Sequence, residues 1–148
     1  MKTLRLARYE SRMNAILSIA SSGLTAAIRR LEVSASNVAN ALSDGPLPSA
    51  DAATRAKYPA AYAPKQVEQI ETAGGGTAAV VSDVSPSYVS TYDPSAPFAD
   101  AQGLVASPNV DIANEAVQQL VSRYAFVINA VVVRTYVQTI KSLLDLKI

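Results

Sequence analysis

The 148-residue chain contains no cysteine, no histidine and no tryptophan. Without cysteine it can form neither a disulfide nor a thiolate metal site, and it has no thiol nucleophile. Without histidine it lacks an imidazole base and the zinc sites that require one. Carboxylate, serine, lysine and tyrosine chemistry remains formally possible, but the sequence contains no catalytic constellation for it. We therefore predict a protein that is not an enzyme and that has no metal site, no cofactor and no small-molecule substrate.

A strong excess of charge of one sign is also missing. The chain has 13 basic and 12 acidic residues, a formal net charge of +1, whereas nucleic-acid-binding proteins usually present a basic face. Its longest apolar run, residues 125–133, is much shorter than the ~20 residues of a membrane-spanning helix. Residues 1–12 are basic, with Lys2, Arg5, Arg8 and Arg12 at helical spacing. They are either a mobile extension or a basic face for an acidic partner or lipid headgroups.

Proline and glycine are nearly absent outside the middle of the chain. All eight prolines lie within residues 46–108, and five of the six glycines lie within residues 45–103. Because both residue types interrupt regular structure, the sequence divides into a basic extension (1–12), an N-terminal helix (13–45), a Pro/Gly-rich insert (46–108) and a C-terminal helix (109–148). The predicted fold class is mainly α with a small β insert, and the long terminal helices pair as a coiled coil.

A heptad pattern predicts the N-terminal helix from about residue 14 to residue 42. Large apolar residues occupy every seventh position: Leu17, Leu24, Leu31 and Val38. Small residues follow three positions later: Ala20, Ala27, Ser34 and Ala41. Such a seam over four heptads is typical of a coiled-coil arm, and its small d positions allow a partner helix to approach closely. An ordinary amphipathic core helix is the alternative, and in both cases Gly45 and Pro46 end the helix.

The C-terminal helix is predicted from residue 112 to residue 146, with Asn109 or Asp111 as its N-cap. Five residues form a seam at heptad spacing: Val117, Leu120, Tyr124, Val127 and Val131. Six further apolar residues spread over the rest of the circumference: Val121, Phe126, Ile128, Val132, Val133 and Val137. A helix that is apolar nearly all round must be buried on several sides. We therefore expect other copies or other subunits to cover it.

The insert is predicted to combine a loop with a β-hairpin. Residues 46–64 are rich in proline, alanine and serine and indicate an extended or mobile loop. Residues 65–71 and 77–84 indicate two strands joined by a flexible turn at Gly74–Gly76, and residues 87–92 are a candidate third strand. Asp93 and Asp100 are interpreted as turn residues. A metal site or a hydrolase built on these two carboxylates is the weaker alternative.

Two parts of the sequence resemble the flagellar basal-body rod and hook family. Residues 22–26 and 31–41 are similar to its N-terminal motif, and its Ala-Asn-Asn-hydrophobic-Ala-Asn core corresponds to residues 35–40. Residues 92–95 and 103–111 resemble the segment before the last helix of the proximal rod proteins, a branch of that family. Glu115, Asn129 and Thr135 match the pattern of that helix, and Phe126 stands where tyrosine is usual.

The predicted interface residues combine the two seams with this motif. They are Leu17, Ala20, Gly23, Leu24, Ala27, Leu31, Ser34, Asn37, Val38, Asn40, Ala41, Val117, Leu120, Tyr124, Phe126, Val127, Asn129 and Val131. The resemblance implies a structural subunit of the rod that leaves the cytoplasm through the flagellar type III export apparatus, stacks helically in the periplasm and helps to transmit torque. It also implies contacts with other copies, with other rod proteins, with the rod–ring junction protein and with the export apparatus. A helical adaptor or dimeric protein-binding module is the alternative from the helices alone.

Overall fold

The computed structural model describes the backbone of residues 2–145 and the side chains of residues 13–143 and 145. A long helix lies at each end of this range, α1 at Lys2–Ala39 and α3 at Ile112–Asp145. The insert contains one short helix, α2 at Ala52–Lys57, and four strands: β1 at Lys65–Glu71, β2 at Thr77–Asp83, β3 at Tyr88–Tyr92 and β4 at Leu104–Pro108. The prediction of long terminal helices around a small β insert is confirmed, whereas coiled-coil pairing stays a prediction.

Helix α1 ends at Ala39, before the predicted end near residue 42. The Asn40 side chain donates a hydrogen bond from Nδ2 to the Ser36 carbonyl at 2.9 Å. The next backbone bond, from the Ala41 amide to the Val38 carbonyl at 3.3 Å, spans three residues instead of four. The last helical carbonyls are thus satisfied by a side chain and a tighter turn. The side chains of residues 1–12 lie outside the described part, so their basic face remains a prediction.

Gly45 has a different role from the predicted helix stop. Its backbone exchanges two hydrogen bonds with Ala106, at 3.0 and 2.9 Å, and so extends along the edge of β4. A Cβ atom at position 45 would collide with the backbone of residues 59–61. Glycine is needed here because two backbone segments approach too closely for any side chain.

Asp111 is the N-cap of α3. Its Oδ1 atom accepts hydrogen bonds from the backbone amides of Ala113 and Asn114, at 2.9 and 3.1 Å. Those amides have no partner within the helix, so the carboxylate satisfies two of the free donors at its start. Asn109, the other candidate, instead donates from Nδ2 to the Pro86 carbonyl at 2.9 Å.

The strands form two separate two-stranded sheets. β1 and β2 pair as the predicted hairpin. β3 does not join them, because it pairs antiparallel with β4, from Tyr88 opposite Pro108 to Tyr92 opposite Leu104. The candidate third strand therefore exists but belongs to a second sheet. The sequence did not predict β4, because Asp100 was interpreted as a turn residue and residues 103–111 only as the segment before the last helix.

The prediction of an unstructured loop at residues 46–64 is wrong for its middle part. Asp51 caps α2, accepting at Oδ1 from the Thr54 amide at 2.9 Å and at Oδ2 from the Thr54 hydroxyl at 2.7 Å. Both bonds favour the ionised carboxylate, and the hydroxyl bond is the larger cause of the lowered pKa of Asp51. The Asp-X-X-Thr capping pattern is the signal in the sequence that marks this helix.

The chain forms two compact units. The helix unit consists of the described residues of 1–31, 67–80 and 120–148, and the insert unit of residues 32–66 and 81–119. The buried residues of the helix unit are all small: Ala20, Ala26, Ala27 and Ser122. Those of the insert unit include larger side chains: Val33, Ser34, Asn37, Leu47, Val105 and Ala106. The high alanine content thus contributes to tight backbone packing in the helix unit.

Candidate assembly interface

A buried asparagine organises the insert unit. Asn37 is 1% exposed, and its Nδ2 donates to the Lys65 carbonyl at 2.7 Å and to Glu115 Oε1 at 2.6 Å. Its Oδ1 accepts from the Lys65 amide at 3.0 Å and from the Tyr62 hydroxyl at 3.1 Å. These four bonds use all the donors and acceptors of the amide group. Asn37, Tyr62, Lys65 and Glu115, here called the Asn37 cluster, join the end of α1 to the start of β1 and the first turn of α3.

The polar residues in and beside the family-like motif at residues 35–40 make different hydrogen bonds. Ser34, 2% exposed, donates from Oγ to the Glu115 carbonyl at 3.0 Å. The Ser36 hydroxyl lies 3.1 Å from the Tyr62 hydroxyl, at the outer side of the Asn37 cluster. The Asn40 side chain donates to the Ser36 carbonyl one turn earlier and so caps the end of α1. The two asparagines therefore differ, because Asn37 holds three segments together and Asn40 terminates α1.

In the helix unit, α1 and α3 meet at a glycine. A Cβ atom at Gly23 would lie 2.6 to 2.8 Å from the side-chain atoms of Asn129. Asn129 itself donates from Nδ2 to the Ala125 carbonyl at 2.8 Å. Ala20 and Ala27, one helical turn to either side of Gly23, are each 2% exposed. The small residues of the predicted seam therefore face inward, as expected for close helix packing.

The glycine-rich turn of the hairpin is fixed against α1. Ser22 Oγ accepts a hydrogen bond from the Thr77 amide at 3.1 Å and donates one to the Ile19 carbonyl at 2.8 Å. Gly76 has a φ of +96°, and a Cβ there would lie 2.5 Å from Ser22 Oγ. The turn was predicted only as a flexible link, and the structure adds a docking contact in the same unit.

The large residues of the N-terminal seam do not share the inner position of the small ones. Leu17, Leu31 and Val38 are 37–42% exposed, and Leu24 is half-buried. The inner places belong to Gly23 and Asn37, which precede Leu24 and Val38 by one residue. At these two places the inner position therefore lies one residue before the predicted leucine row, and the heptad seam as a helix-pairing surface stays a prediction. Ala41, beyond the end of the helix, is half-buried.

The predicted seam of α3 is exposed. Its five members are 49–61% accessible: Val117, Leu120, Tyr124, Val127 and Val131. Phe126, outside the seam, is 42% accessible. The inner row is instead polar and repeats every seven residues: Glu115, Ser122, Asn129 and Tyr136. Ser122, 1% exposed, was not predicted. Its spacing from Asn129 was the available signal, but a serine among valines and leucines does not fit an apolar seam.

The helix unit also contains an open apolar groove of about 540 Å³. Met13 and Ile16 of α1 line one side, and Val131, Val132 and Tyr136 of α3 line the other. Within the described range, no three His, Cys, Asp or Glu residues are grouped so that they could hold a metal ion. By length and composition alone, the Ile112–Leu143 part of α3 could cross a membrane. The groove and exposed seam together form an apolar surface suited to packing.

The two acidic turn residues each stabilise their own turn, as predicted. Asp93 Oδ1 accepts from the Ser95 hydroxyl at 2.6 Å and from the Ser95 amide at 3.1 Å, and these bonds lower the pKa of Asp93. Asp100 Oδ1 accepts from the amides of Gln102 and Leu104, at 2.9 and 2.8 Å. These contacts explain both residues without a hydrolytic site.

Known proteins resemble this chain over most of its length. A family model described as flagella basal body rod protein matches residues 17–45. The flagellar basal-body rod protein FlgC of Yersinia enterocolitica is 37% identical over 121 residues, which cover 81% of this chain and 87% of that protein. FlgC of Salmonella typhimurium strain LT2 is 36% identical with the same coverage. FlgC of Agrobacterium fabrum is 30% identical over 134 residues, 90% of this chain and 94% of that protein.

Proposed function

The chain belongs to the flagellar basal-body rod proteins of the FlgC type and is a structural subunit of the rod; from this premise we propose that it forms part of the proximal rod and helps to transmit motor torque across the periplasm. It reaches the periplasm through the flagellar type III export apparatus. Its partners are other copies, other rod proteins and the rod–ring junction protein. Membership of this family disfavours a helical adaptor unrelated to flagella.

The exposed apolar surface of α3 is the observation that carries this proposal. The five seam residues are 49–61% accessible in the single chain, and Phe126 is 42% accessible. Complete burial of a valine, leucine or phenylalanine side chain stabilises a protein by ~1.5–3 kcal/mol. In a single chain these side chains therefore lack several kcal/mol of stabilisation by burial. Packing between neighbouring subunits supplies it. Large exposed apolar patches on soluble proteins mark interaction sites.

The Asn37 cluster supports the mechanical part of the proposal. A subunit that transmits torque must resist separation of its segments under load. The side chain of Asn37 joins three segments through four part-buried hydrogen bonds. The bond to Glu115 gains strength when that carboxylate is charged. We propose that this cluster keeps the end of α1, the start of β1 and the start of α3 as one stiff body.

Deletion of the gene in the source bacterium tests the proposal. We expect non-motile cells whose basal bodies keep the membrane ring but lack a complete rod, with motility restored by the wild-type gene. Purified basal bodies from the restored strain should contain the protein, and a tag on it should appear in the segment nearest the ring by electron microscopy. Normal swimming with complete rods in the deletion strain would contradict a structural role. A tag found only in the distal rod would contradict the proximal position.

A further inference from the structure

The described part of α3 carries a basic stripe on one face, with the exposed Asp145 one helical turn beyond its last member. Residues 120–144 contain Arg123, Arg134 and Lys141 and no acidic residue. At 3.6 residues per turn, Arg134 and Lys141 fall within about 20° of Arg123 around the helix. All three side chains are exposed, and no ion pair links them to another side chain that the structure describes.

Two exposed valines lie between these basic residues. Val127 is 49% and Val137 is 44% exposed, and both fall within about 40° of the line from Arg123 to Lys141. At ~1.5 Å per residue, the stripe extends over ~27 Å. We call these five residues the basic stripe. Its mixture of positive charge and aliphatic surface fits a protein surface that supplies acidic groups and apolar contact together.

The insert unit carries the opposite charge. Residues 81–119 contain five acidic residues and no lysine or arginine. Glu115 is bonded to Asn37, and Asp83 forms an ion pair with Lys65 at 3.4 Å. Asp93 and Asp100 lie together in the loop between β3 and β4, here called the acidic loop (residues 93–103).

The charges of the acidic loop have no opposing cation within the loop. Asp93 and Asp100 accept hydrogen bonds from nearby backbone amides, and Asp93 also accepts one from the Ser95 hydroxyl. Those bonds favour the ionised form of Asp93, so its carboxylate stays charged at neutral pH. These turn hydrogen bonds bring no positive charge to the two carboxylates, so both can still attract a basic partner.

We propose that the basic stripe of one copy docks on the acidic loop of a second copy of this chain. This inference rests on the proposed role as a rod subunit, and charge complementarity between the two surfaces selects the occupant. The contact joins two different surfaces, so one copy of a docked pair keeps a free loop and the other keeps a free stripe. Such a heterologous contact does not close a dimer. Its repetition gives a ring or an open helical assembly, and a rod requires the second.

Cysteine cross-linking in assembled basal bodies tests the contact, because the natural chain has no cysteine. Val127→Cys places a thiol in the basic stripe, and Ala101→Cys places one in the acidic loop. We expect the double variant to form covalent dimers and higher multimers on mild oxidation. Each single variant should remain monomeric, since the stripe does not meet a second stripe. Val121→Cys with Ala101→Cys is the matched control, because Val121 is also exposed but lies about 120° away from Val127 around α3.

Neutralisation of the loop tests the electrostatic part. Asp93→Asn with Asp100→Asn keeps the side-chain oxygens that accept the turn hydrogen bonds but removes both charges. We expect at least about a fivefold lower cross-linking yield between positions 127 and 101, since several exposed ion pairs are lost. Asp51→Asn, a matched change outside the acidic loop, should leave the yield unchanged. An equal yield in the neutralised variant would overturn the electrostatic contact.

The outcomes separate this inference from the proposed function. Absence of the protein from purified rods would contradict the function itself. Presence in rods without a cross-link between positions 127 and 101 would contradict only the docking of stripe on loop. A cross-link that joins this chain to a different rod protein would overturn the choice of a second copy as the occupant. Cross-linking in a single variant would overturn the heterologous geometry.

Discussion

The insert unit and the helix unit differ in the kind of buried contact that stabilises them. The insert unit fixes its segments with buried polar groups, above all the Asn37 cluster, and covers Val105 and Ala106 almost completely. The helix unit packs alanine and glycine along its inner face and leaves the large apolar side chains of α3 at the surface. Buried polar contacts thus stabilise the insert unit, whereas the helix unit has a buried row of small residues and an exposed set of large apolar side chains on α3.

Loss of the Asn37 amide should have the largest effect on this contrast. Asn37→Ala leaves the Lys65 backbone groups and the Glu115 carboxylate without their buried partner. Each unsatisfied buried group costs ~1–3 kcal/mol, so we expect the insert unit to lose about 3 kcal/mol. Chemical denaturation and amide hydrogen exchange measure the loss, and exchange should accelerate in residues 32–66 and 81–119.

Asn40→Ala is the matched control for that variant, because Asn40 is half-buried and bonds only within its own turn. Its expected cost is under about 1 kcal/mol, within the range of a single hydrogen bond. If the two alanine variants lost equal stability, the central place of Asn37 in the insert unit would be contradicted.

Overpacking of the inner seam should come next in size. Ala27 is 2% exposed, and Ala27→Leu adds three carbon atoms where α1 is closely packed. Such insertions typically cost ~1–3 kcal/mol. We expect lower thermal stability of the helix unit and weaker motility in a complemented deletion strain. Ile28→Leu, at a 45% exposed neighbour, should leave both unchanged, and full motility of the Ala27→Leu strain would argue against close packing at this site.

Polar substitution of the exposed seam should separate folding from assembly. Val131→Thr changes a residue that is 56% exposed in the single chain. Surface substitutions usually alter stability by no more than about 0.5 kcal/mol, so unfolding of the isolated subunit should barely change. Incorporation into purified rods, measured by immunoblot of basal bodies, should fall. A clear loss of monomer stability with normal incorporation would reverse the distinction between the two units.

The smallest expected effect is the loss of the Asp51 cap of α2 at acid pH. The pKa of Asp51 is lowered, chiefly by the Thr54 hydroxyl. A lowered folded-state pKa means that the cap of α2 contributes fully above the ordinary aspartate range and is lost as the pH falls through the lowered value. The Thr54 amide resonance in NMR spectra should therefore shift with a midpoint below the ordinary aspartate pKa. Asp51→Asn should abolish that shift, and a midpoint above the ordinary aspartate pKa would contradict the direction of the pKa change.

Local signals in the sequence predicted the elements correctly where chemistry acts over a few residues. The hairpin at residues 65–83 followed from alternation around three glycines, and the start of α3 followed from the aspartate at position 111. The partner of β3 could not be predicted in this way, because β4 lies twelve residues further along the chain and strand pairing depends on contacts distant in sequence. The short helix α2 was not predicted, because the prolines and alanines around it were interpreted as a loop.

Composition and heptad spacing by themselves determined the class of the molecule. They predicted two long helices, small residues for close packing and more apolar surface than one chain can bury, whereas the resemblance to rod proteins came from the motifs at residues 22–26 and 31–41. Only the tertiary structure decided which row faces inward. The period of seven leaves several rows of a helix open, and Gly23, Asn37 and Asn129 take the inner places because a glycine permits close approach and a buried amide needs every partner that the neighbouring segments supply. The large side chains are thereby left outside, where other subunits can reach them.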